Sequence, residues 1–362
     1  MELKIVNFIN FRNLEDYSLN IPDGITLFHG KNGQGKTSVL EAIYFAATGK
    51  SFRTAKIQEL IKYNKEKCGV FLLYKDKIDE KTISIKFSDK KKEFSYNGKR
   101  ITYDDYYGKL NVVSFIPEDI ELITGAPSIR RKFFDEEISQ GDEEYFKNIK
   151  DYSKILKIRN HYLKSGVYKG DIYEVYEEEF IKLAAKIIKK RLNYIKNIGI
   201  ILNLNYRKIF DNKKELGIKY VSEIGYDKKD TLNSIEEKIR DSLKERAFQE
   251  KKYGYTLVGP QKDEFRFYLN DKDAKSYSSQ GEKKSIVFAL KLSEIDMIFK
   301  EKKEKPIFII DDISSYFDES RKQSILTFLK GRGVQLLISS TTEIKIDCKV
   351  LKVENGVVYD RD

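Results

Sequence analysis

The chain has 362 residues, of which 40% are hydrophobic and 35% are charged, so it is long enough for a packed core and a second, smaller lobe. Its 68 lysines and arginines exceed its 57 aspartates and glutamates, which gives a formal net charge of +11 at pH 7. This excess favours a polyanionic partner such as DNA or RNA, although a lysine-rich composition bias would produce the same excess.

Two cysteines, Cys68 and Cys348, and two histidines, His29 and His161, limit the chemistry. The cysteines lie far apart and outside any CxxC pair, which excludes a zinc ribbon and a disulfide framework and fits a reducing compartment. Histidine-based catalysis and multi-histidine metal sites are not expected. The first residues alternate like a strand rather than a signal peptide, and no run approaches the roughly 20 apolar residues of a membrane span. We therefore expect a soluble, cytoplasmic protein.

In chain order, the hydrophobic pattern predicts strands first and helices later. Residues 1–30 are β-rich, residues 36–47 have helical spacing, and residues 69–100 alternate like further strands. From about 127 to 250 the apolar residues recur at three-to-four spacing, which predicts a helical bundle with solvated outer faces.

The last hundred or so residues return to α/β character. Residues 283–300 look helical, residues 306–310 form an apolar strand that ends in two aspartates, and residues 334–338 form another apolar strand. Apolar strands that end in polar groups are typical of a parallel sheet with its site at the carboxyl ends. We therefore predict one α/β lobe built from residues 1–126 and 276–362, with a mainly helical lobe, residues 127–275, inserted between its halves.

The segment at residues 30–37 (GKNGQGKT), here called the phosphate loop, fits the pattern GxxxxGK[ST] between a predicted strand and a predicted helix. Its glycines let backbone N–H groups face phosphate oxygens, and the helix N-terminus adds a favourable dipole. Lys36 is expected to reach the β- and γ-phosphates of ATP, and Thr37 to hold Mg²⁺. The alternative, a glycine-rich turn with a chance lysine, is disfavoured by this context. The predicted nucleotide contacts are Gly30, Lys31, Asn32, Gly33, Gln34, Gly35, Lys36, Thr37 and Ser38.

The acidic pair Asp311 and Asp312 resembles a Walker B strand end. Asp311 is predicted to bind Mg²⁺, and Asp312 to orient or deprotonate the attacking water, which makes Asp312 and Lys36 the candidate catalytic residues. Many ATPases of this shape have glutamate at the second position, and the shorter aspartate predicts slow hydrolysis. Two aspartates after an apolar run are also an ordinary strand-to-turn signal, so the motif is strong only together with the phosphate loop.

Residues 278–284 (SSQGEKK), here called the signature segment, precede an amphipathic helix and resemble the signature of ABC ATPases. A serine hydroxyl and glycine N–H groups at a helix N-terminus form an anion site. The resemblance implies that Ser279, Gly281 and Glu282 meet the γ-phosphate held by an opposing subunit. Glu282 stands where glutamine is more usual, so the local charge differs from the common pattern.

Two segments near the acidic pair also resemble parts of an ABC ATPase. Residues 314–318 (SSYFD) resemble the D-loop, with Asp318 as the matching acid. Residues 339–342 (SSTT) stand where ABC transporters have a histidine that senses the γ-phosphate, and their hydroxyls could also hydrogen-bond a phosphate. Glu118 and Asp119 are candidates for the position of the Q-loop.

Several further strings resemble the RecF family and follow its order along nearly the whole chain. They are residues 10–13 (NFRN), 49–54 (GKSFRT), 117–119 (PED), 125–135 (GAPSIRRKFFD) and 259–264 (GPQKDE). The GxPxxRRxF string is the most specific, whereas Gln261 departs from the usual histidine. The resemblance implies an ABC-type P-loop ATPase head with an inserted, mainly helical second lobe.

The same resemblance implies a weak, DNA-dependent ATPase that uses ATP and Mg²⁺ and forms an ATP-dependent homodimer. Its expected partners are double-stranded DNA, gapped or junction DNA and RecR, with RecO and RecA in the same pathway, and its expected role is RecA loading at gaps and stalled forks. The number of residues between the phosphate loop and the signature segment fits this family. It is larger than a transporter nucleotide-binding domain usually requires, and too small to include the long coiled coil of an SMC protein.

Four arginines are left open between two roles: Arg12, Arg53, Arg130 and Arg131. They could contact phosphate of nucleotide or DNA, or Arg130 and Arg131 could pair with nearby acids at 135 and 136. There are four alternative function classes. A transporter subunit and an ATP-dependent nuclease are disfavoured, because the switch histidine and an added acidic cluster are missing from the sequence. An ABC-type subunit of another assembly, or a nucleotide-sensing structural protein without significant turnover, stays open.

Overall fold

The computed structural model describes residues 1–360 except 167, 169, 343 and 345. The strands are β1 (Glu2–Ile9), β2 (Ser18–Asn20), β3 (Ile25–His29), β4 (Lys67–Lys75), β5 (Glu80–Ser88), β6 (Lys91–Tyr96), β7 (Lys99–Ile101), β8 (Val112–Phe115), β9 (Leu216–Val221), β10 (Glu264–Leu269), β11 (Lys272–Asp273), β12 (Ile307–Ile310), β13 (Leu336–Ser340), β14 (Lys349–Glu354) and β15 (Val357–Asp360). The helices are α1 (Lys36–Thr48), α2 (Tyr103–Tyr106), α3 (Glu121–Thr124), α4 (Pro127–Gly141), α5 (Glu143–Lys164), α6 (Asp171–Ile209), α7 (Leu232–Tyr253), α8 (Ala274–Tyr277), α9 (Gln280–Lys302), α10 (Ile313–Tyr316) and α11 (Glu319–Lys330).

The chain forms two compact units. The first comprises Met1–Asp119 and Leu290–Asp362, and the second comprises Ile120–Ala289. The boundary at residue 290 lies inside α9, so this helix contributes to both units. The lobe boundaries at 126 and 276, expected from the sequence, stay predictions.

A mostly parallel sheet forms the centre of the first unit, in the order β15-β14-β3-β13-β12-β8. The strands from β14 to β8 run parallel, and β15 returns antiparallel to β14. All residues of β8, β12 and β13 are buried, which explains why these strands read as continuous apolar runs rather than as alternating ones. The strands predicted near 306–310 and 334–338 are thus confirmed, and polar residues follow them at the carboxyl edge of the sheet.

An antiparallel sheet lies in the same unit, in the order β2-β1-β4-β5-β6-β7. Its buried face carries the alternating residues Val70, Leu72, Ile83 and Ile85, as the sequence predicts. Helix α1 packs against β4 and β5 of this sheet and against β13 and β8 of the other, so one hydrophobic cluster joins both sheets. Its first residue, Lys36, therefore has a fixed position at the edge of the parallel sheet.

The second unit is mainly helical, as predicted, but it also contains a sheet in the order β11-β10-β9. The apolar stripes of α6 and α7 are buried, including Ile187, Leu192 and Ile239. The prediction of helices throughout 127–250 is wrong at Leu216–Val221, where β9 pairs antiparallel with β10. Leu216 and Ile218 alternate with polar residues at period two, which suits a half-buried strand. Among the residues described, no helix has both the length and the apolar composition that a bilayer crossing requires.

Candidate nucleotide-binding site

The phosphate loop follows β3 and ends where α1 begins, at the carboxyl edge of the parallel sheet. Gly33 and Gly35 have φ values of 80° and 113°, a region that side chains other than glycine adopt only with strain. A Cβ atom on Gly30 would lie 2.3 Å from the Val353 carbonyl oxygen of β14, so a side chain there would displace the loop. These three positions therefore require glycine.

Asn13 holds this loop from one side. Its Oδ1 accepts a hydrogen bond from Ser38 Oγ at 2.8 Å, and its Nδ2 donates to the Gly33 carbonyl at 3.3 Å. The side chain of Asn13 thus joins the first turn of α1 to the middle of the loop. The string at residues 10–13, singled out by its resemblance, here has a direct structural role.

The turn between β14 and β15 holds the loop from the other side. The backbone N–H of Asn355 donates to Gln34 Oε1 at 2.7 Å, and that of Gly356 donates to the Gln34 carbonyl at 2.9 Å. A Cβ atom on Gly356 would lie 2.0 Å from the Asn13 carbonyl oxygen, which forbids a side chain there. This contact was not predicted from the sequence, where the pair Asn355-Gly356, a common hairpin turn, was its local signal.

Lys36 lies with its ammonium inside the curve of the loop. Its Nζ is 2.7 Å from the Gly30 carbonyl oxygen and 2.8 Å from the Lys31 carbonyl oxygen. Burial lowers the pKa of Lys36, and the carboxylates of Asp312 and Asp311 oppose that shift. The loop therefore presents a cation and a rim of backbone N–H groups, which is the chemistry of a phosphate site. Lys31 and Asn32 are exposed at its tip.

Asp311 lies beside the first turn of α1 and receives two hydroxyl groups. Thr37 Oγ1 donates to Asp311 Oδ1 at 2.9 Å, and Ser339 Oγ donates to the same oxygen at 2.6 Å. Burial raises the pKa of Asp311, and these two hydrogen bonds oppose that shift. A carboxylate and a threonine hydroxyl are hard oxygen donors, so Thr37 and Asp311 fit Mg²⁺.

Asp312 has a left-handed backbone, with φ at 50°, a conformation that residues other than glycine adopt infrequently. Its N–H donates to Ser339 Oγ at 2.8 Å, and its Oδ1 accepts from Ser314 Oγ at 2.9 Å. Ser339 therefore fixes both aspartates, a role that the sequence analysis did not predict for it. Ser340 instead donates to the Thr342 carbonyl at 2.6 Å.

The signature segment belongs to the second unit, whereas the loop and the aspartates belong to the first. Ser279 Oγ accepts from the Glu282 N–H at 3.3 Å, and Glu282 Oε2 accepts from the Ser279 N–H at 2.7 Å. This reciprocal pair is a capping box at the start of α9. Lys214 Nζ lies 2.6 Å from Glu282 Oε1, and this contact, together with hydrogen bonds from the backbone N–H and the side chain of Ser279 to the carboxylate, lowers the pKa of Glu282 to about 2. Gly281, in the first turn, accepts a hydrogen bond from Ser285 Oγ through its carbonyl.

In the first unit, Arg12 and Arg53 point to a buried acid. The guanidinium of Arg12 donates to Glu41 Oε1 and Oε2 at 2.8 Å and 3.0 Å. Arg53 lies 3.5 Å from the same carboxylate and is more exposed. The structural role of Arg12 is therefore direct, since Glu41 is fully buried and an unpaired buried carboxylate would be costly.

In the second unit, Arg130 and Arg131 have other partners than the sequence analysis considered. Arg130 forms a two-pronged ion pair with Glu264, with N–O distances of 2.9 Å and 2.8 Å, and Arg131 donates to the Asp263 carbonyl at 2.9 Å. Asp135, one of the acids considered for these arginines, lies 2.8 Å from Arg191, and its charge also acts on Arg131.

Three remaining candidates have structural contacts within their own units. Gln261 Nε2 donates to the Val258 carbonyl at 2.8 Å, and its Oε1 accepts from the Tyr152 hydroxyl. Asp318 caps the N-terminus of α11. Asp119 is half-buried and accepts from the Ile116 N–H at 2.9 Å, which fixes the turn after β8.

The likeness to known proteins extends along the whole chain. A family model described as the RecF/RecN/SMC N terminal domain matches residues 2–354. The DNA replication and repair protein RecF of Clostridium botulinum (strain Eklund 17B / Type B) is 36% identical over 368 residues, which cover 99% of this chain and 100% of the relative. The chain is a member of the RecF family. The RecF of Geotalea daltonii is 34% identical over 364 residues, with 99% and 98% covered.

Solved structures agree with this family. A structure of the recombination mediator protein RecF with ATP, in the RecFOR pathway, superposes with a TM-score of 0.92 at 34% identity and covers 99% of both chains. A second RecF structure, described as RecF-ATPrS, gives a TM-score of 0.91 at 34% identity, with 99% of this chain and 97% of that chain covered. An Smc head bound to the C-winged helix domain of ScpA gives 0.58 at 15% identity, with 99% and 96% covered, and shares the fold alone. The expected fold, that of an ABC-type ATPase head, is confirmed.

Proposed function

We propose that this RecF-family chain is an ATP-dependent DNA-binding switch with slow ATP hydrolysis that acts in recombinational repair. The observation that carries the proposal is the contact of 2.9 Å between Thr37 and Asp311, beside the phosphate loop and at the carboxyl edge of a parallel sheet. This arrangement brings the predicted phosphate and Mg²⁺ ligands together from opposite ends of the sequence. The solved RecF structure with ATP, at 34% identity, supports the same ligand.

Different residues of the chain bind the nucleotide and promote its hydrolysis. Backbone N–H groups of residues 30–38 bind the phosphates, while Lys36 exchanges its carbonyl contacts for the β- and γ-phosphate oxygens. Thr37 and Asp311 would hold Mg²⁺, which supplies charge neutralisation on the phosphates when bound. Asp312 orients the attacking water or takes its proton. Because its Oδ1 already accepts from Ser314, Asp312 is a restrained base, which supports slow turnover.

Closure requires a second copy of the chain. The signature segment of one protomer, through Ser279, Gly281 and Glu282, covers the γ-phosphate that the other protomer binds. Each nucleotide then bridges two chains, so its binding free energy stabilises the dimer, and hydrolysis reopens it. ATP would thereby control the assembly of the chain rather than drive a chemical conversion.

The closed dimer would bind double-stranded DNA and gapped or junction DNA through its phosphate backbone, without reading bases. The formal net charge of +11 supports such a contact, since basic side chains release counterions from phosphates. The family suggests RecR as a direct partner, with RecO and RecA in the pathway, and RecA loading at gaps and stalled forks as the outcome. This work would take place in the cytoplasm.

Sedimentation with and without ATP tests the dimer, and duplex and gapped DNA titrated across a salt series test the partner. We expect ATP to shift the chain to a dimer at micromolar concentration and to tighten binding to both DNAs. The Lys36→Arg variant should lose both effects together, while Lys56→Ala, an exposed neighbour outside the site, should keep both. A wild-type chain that stays monomeric at saturating ATP would contradict the proposal.

Turnover separates the switch from its alternatives. We expect hydrolysis that is slow and faster with DNA; a rate above about 100 per second would contradict the slow switch. Dimerisation and DNA binding with no measurable hydrolysis would instead favour a nucleotide-sensing structural protein.

A further inference from the structure

Glu282 places a carboxylate at the tip of the signature segment, where the proposed function brings a triphosphate. A negative charge beside a phosphate group is unfavourable unless another group neutralises it. The structure shows such a group within hydrogen-bond distance, on a different part of the chain.

Lys214 lies between α6 and β9, and its Nζ is 2.6 Å from Glu282 Oε1. The other carboxylate oxygen, Oε2, accepts from the Ser279 N–H at 2.7 Å. Both oxygens of Glu282 therefore have a donor, one from the lysine and one from the backbone. The pKa of Glu282 is lowered to about 2, so the carboxylate is ionised throughout the neutral range.

The contact between Lys214 and Glu282 affects the hydroxyl of Ser279. Its Oγ accepts from the Glu282 N–H at 3.3 Å, and a hydroxyl that accepts in this way can still donate its own hydrogen. The Ser279 side chain also hydrogen-bonds the Glu282 carboxylate and lowers its pKa, and a carboxylate held on Lys214 competes less for the hydrogen of that hydroxyl. Lys214 also lies 3.6 Å from Asp211 Oδ2, which fixes the lysine from its other side.

We propose that Lys214 is a positioning residue of the signature segment: it neutralises Glu282 and holds it in the capping box, so that Ser279 meets the nucleotide of a second copy as a hydroxyl donor without a net negative charge beside it. This inference rests on the proposed function, in which the signature segment closes over that nucleotide. Lys214 itself contacts no phosphate in this scheme; it acts through Glu282.

The test is a double-mutant cycle with Lys214→Met, Glu282→Gln and the double variant, and Lys213→Met as the matched control. Lys213 is an exposed lysine next in the chain, and its backbone N–H rather than its side chain contacts Asp211. The readouts are the ATP-dependent dimerisation constant by sedimentation and the ATP affinity of the monomer.

We expect Lys214→Met to weaken ATP-dependent dimerisation by about 10-fold or more, since it leaves a carboxylate beside phosphate without its counter-charge. Glu282→Gln should have a smaller effect, and the double variant should resemble Glu282→Gln, because the charge that needed neutralising is gone. The defect of Lys214→Met should also shrink as ionic strength rises, since salt screens the repulsion. ATP affinity of the monomer and the behaviour of Lys213→Met should match the wild type.

The outcomes are distinct. A wild type that dimerises with ATP while Lys214→Met equals Lys213→Met would overturn the role of Lys214 and leave the switch intact. A defect in Lys214→Met that persists in the double variant, and does not change with salt, would also overturn it, because it would reflect loop structure rather than charge. A wild type that never dimerises would overturn both this role and the proposed function.

Discussion

Charged side chains have different kinds of partner at the phosphate loop and in the signature segment. In the first, the ammonium of Lys36 bonds two backbone carbonyls, and the carboxylate of Asp311 bonds two hydroxyls. In the second, the carboxylate of Glu282 lies 2.6 Å from the ammonium of Lys214. The charges of the loop have neutral hydrogen-bond partners, so a charged ligand can still bind them strongly, whereas the charge of the signature segment is already compensated by the fold.

This difference predicts where ligand binding and stability compete. A buried charge whose partners are all neutral destabilises the folded chain, because its desolvation is only partly offset. A ligand of opposite charge that binds the folded state offsets the rest and so stabilises the chain. A compensated surface pair contributes little either way. Mutations that remove a charge at the phosphate loop should therefore weaken ligand binding while they stabilise the ligand-free chain. Mutations around Glu282 should instead change the assembly of the dimer.

The largest effect is expected for Lys36→Ala. Removal of the ammonium should weaken ATP binding by about 100-fold, on the order of 3 kcal/mol, because a charge-assisted contact to phosphate is lost in a partly buried site. Equilibrium titration with a fluorescent ATP analogue measures it, and Lys56→Ala is the control. An affinity within about 3-fold of wild type, under 1 kcal/mol, would mean that the lysine keeps its carbonyl contacts when nucleotide binds.

An intermediate effect is expected for Ser339→Ala. The change removes the donor to Asp311 and the acceptor of the Asp312 N–H, so both aspartates lose a restraint. We expect the Mg²⁺ concentration for half-maximal hydrolysis to rise about 10-fold, which corresponds to one or two hydrogen bonds. Ser340→Ala should change it little, since Ser340 bonds the backbone of Thr342. Equal effects of the two variants would contradict a special role for Ser339.

The smallest change in free energy, and one that stabilises the chain, is expected for the ligand-free Asp311→Asn variant. Because burial raises the pKa of Asp311, its ionised form is less favourable in the folded chain than in the unfolded chain. The neutral amide should therefore raise the Tm of the ligand-free protein at pH 7.5 by roughly 1–2 °C, while Mg²⁺-dependent hydrolysis is lost.

The gain should disappear as the pH falls through the raised pKa, where wild-type Asp311 becomes protonated and neutral as well. Scanning calorimetry at two pH values checks the sign. A lower Tm for Asp311→Asn at pH 7.5 would show that the carboxylate is compensated after all, and the contrast with Glu282 would fail.

Local patterns sufficed for those parts of the site that are contiguous in the chain. The glycines and Lys36 of the phosphate loop follow a short apolar strand, and β12 is an apolar run that is followed by Asp311. Each motif consists of adjacent residues, so each can be recognised from the local sequence. The parallel sheet then brings these two ends together, because the carboxyl ends of its strands share one edge.

Contacts between distant residues could not be predicted in the same way. Ser339 reaches the aspartates because β13 pairs with β12 in the register Ile338 to Ile310, which no local pattern contains. Lys214 is one of many exposed-looking lysines, and only the fold brings it to Glu282. The strand β9 was missed because its six residues interrupt long helices that dominate the surrounding periodicity.

The strands that pair with β3 determine when the phosphate loop can reach its final structure during synthesis of the chain. Both strands that flank β3, namely β13 and β14, come from the last part of the chain, and Asn355 bonds Gln34 across a separation of 321 residues. A ribosome that has finished the phosphate loop must therefore also add the residues up to β14 before the strands that flank β3 exist. Nascent chains cut short before β14 should not retain ATP, so nucleotide capture requires synthesis to have passed β14.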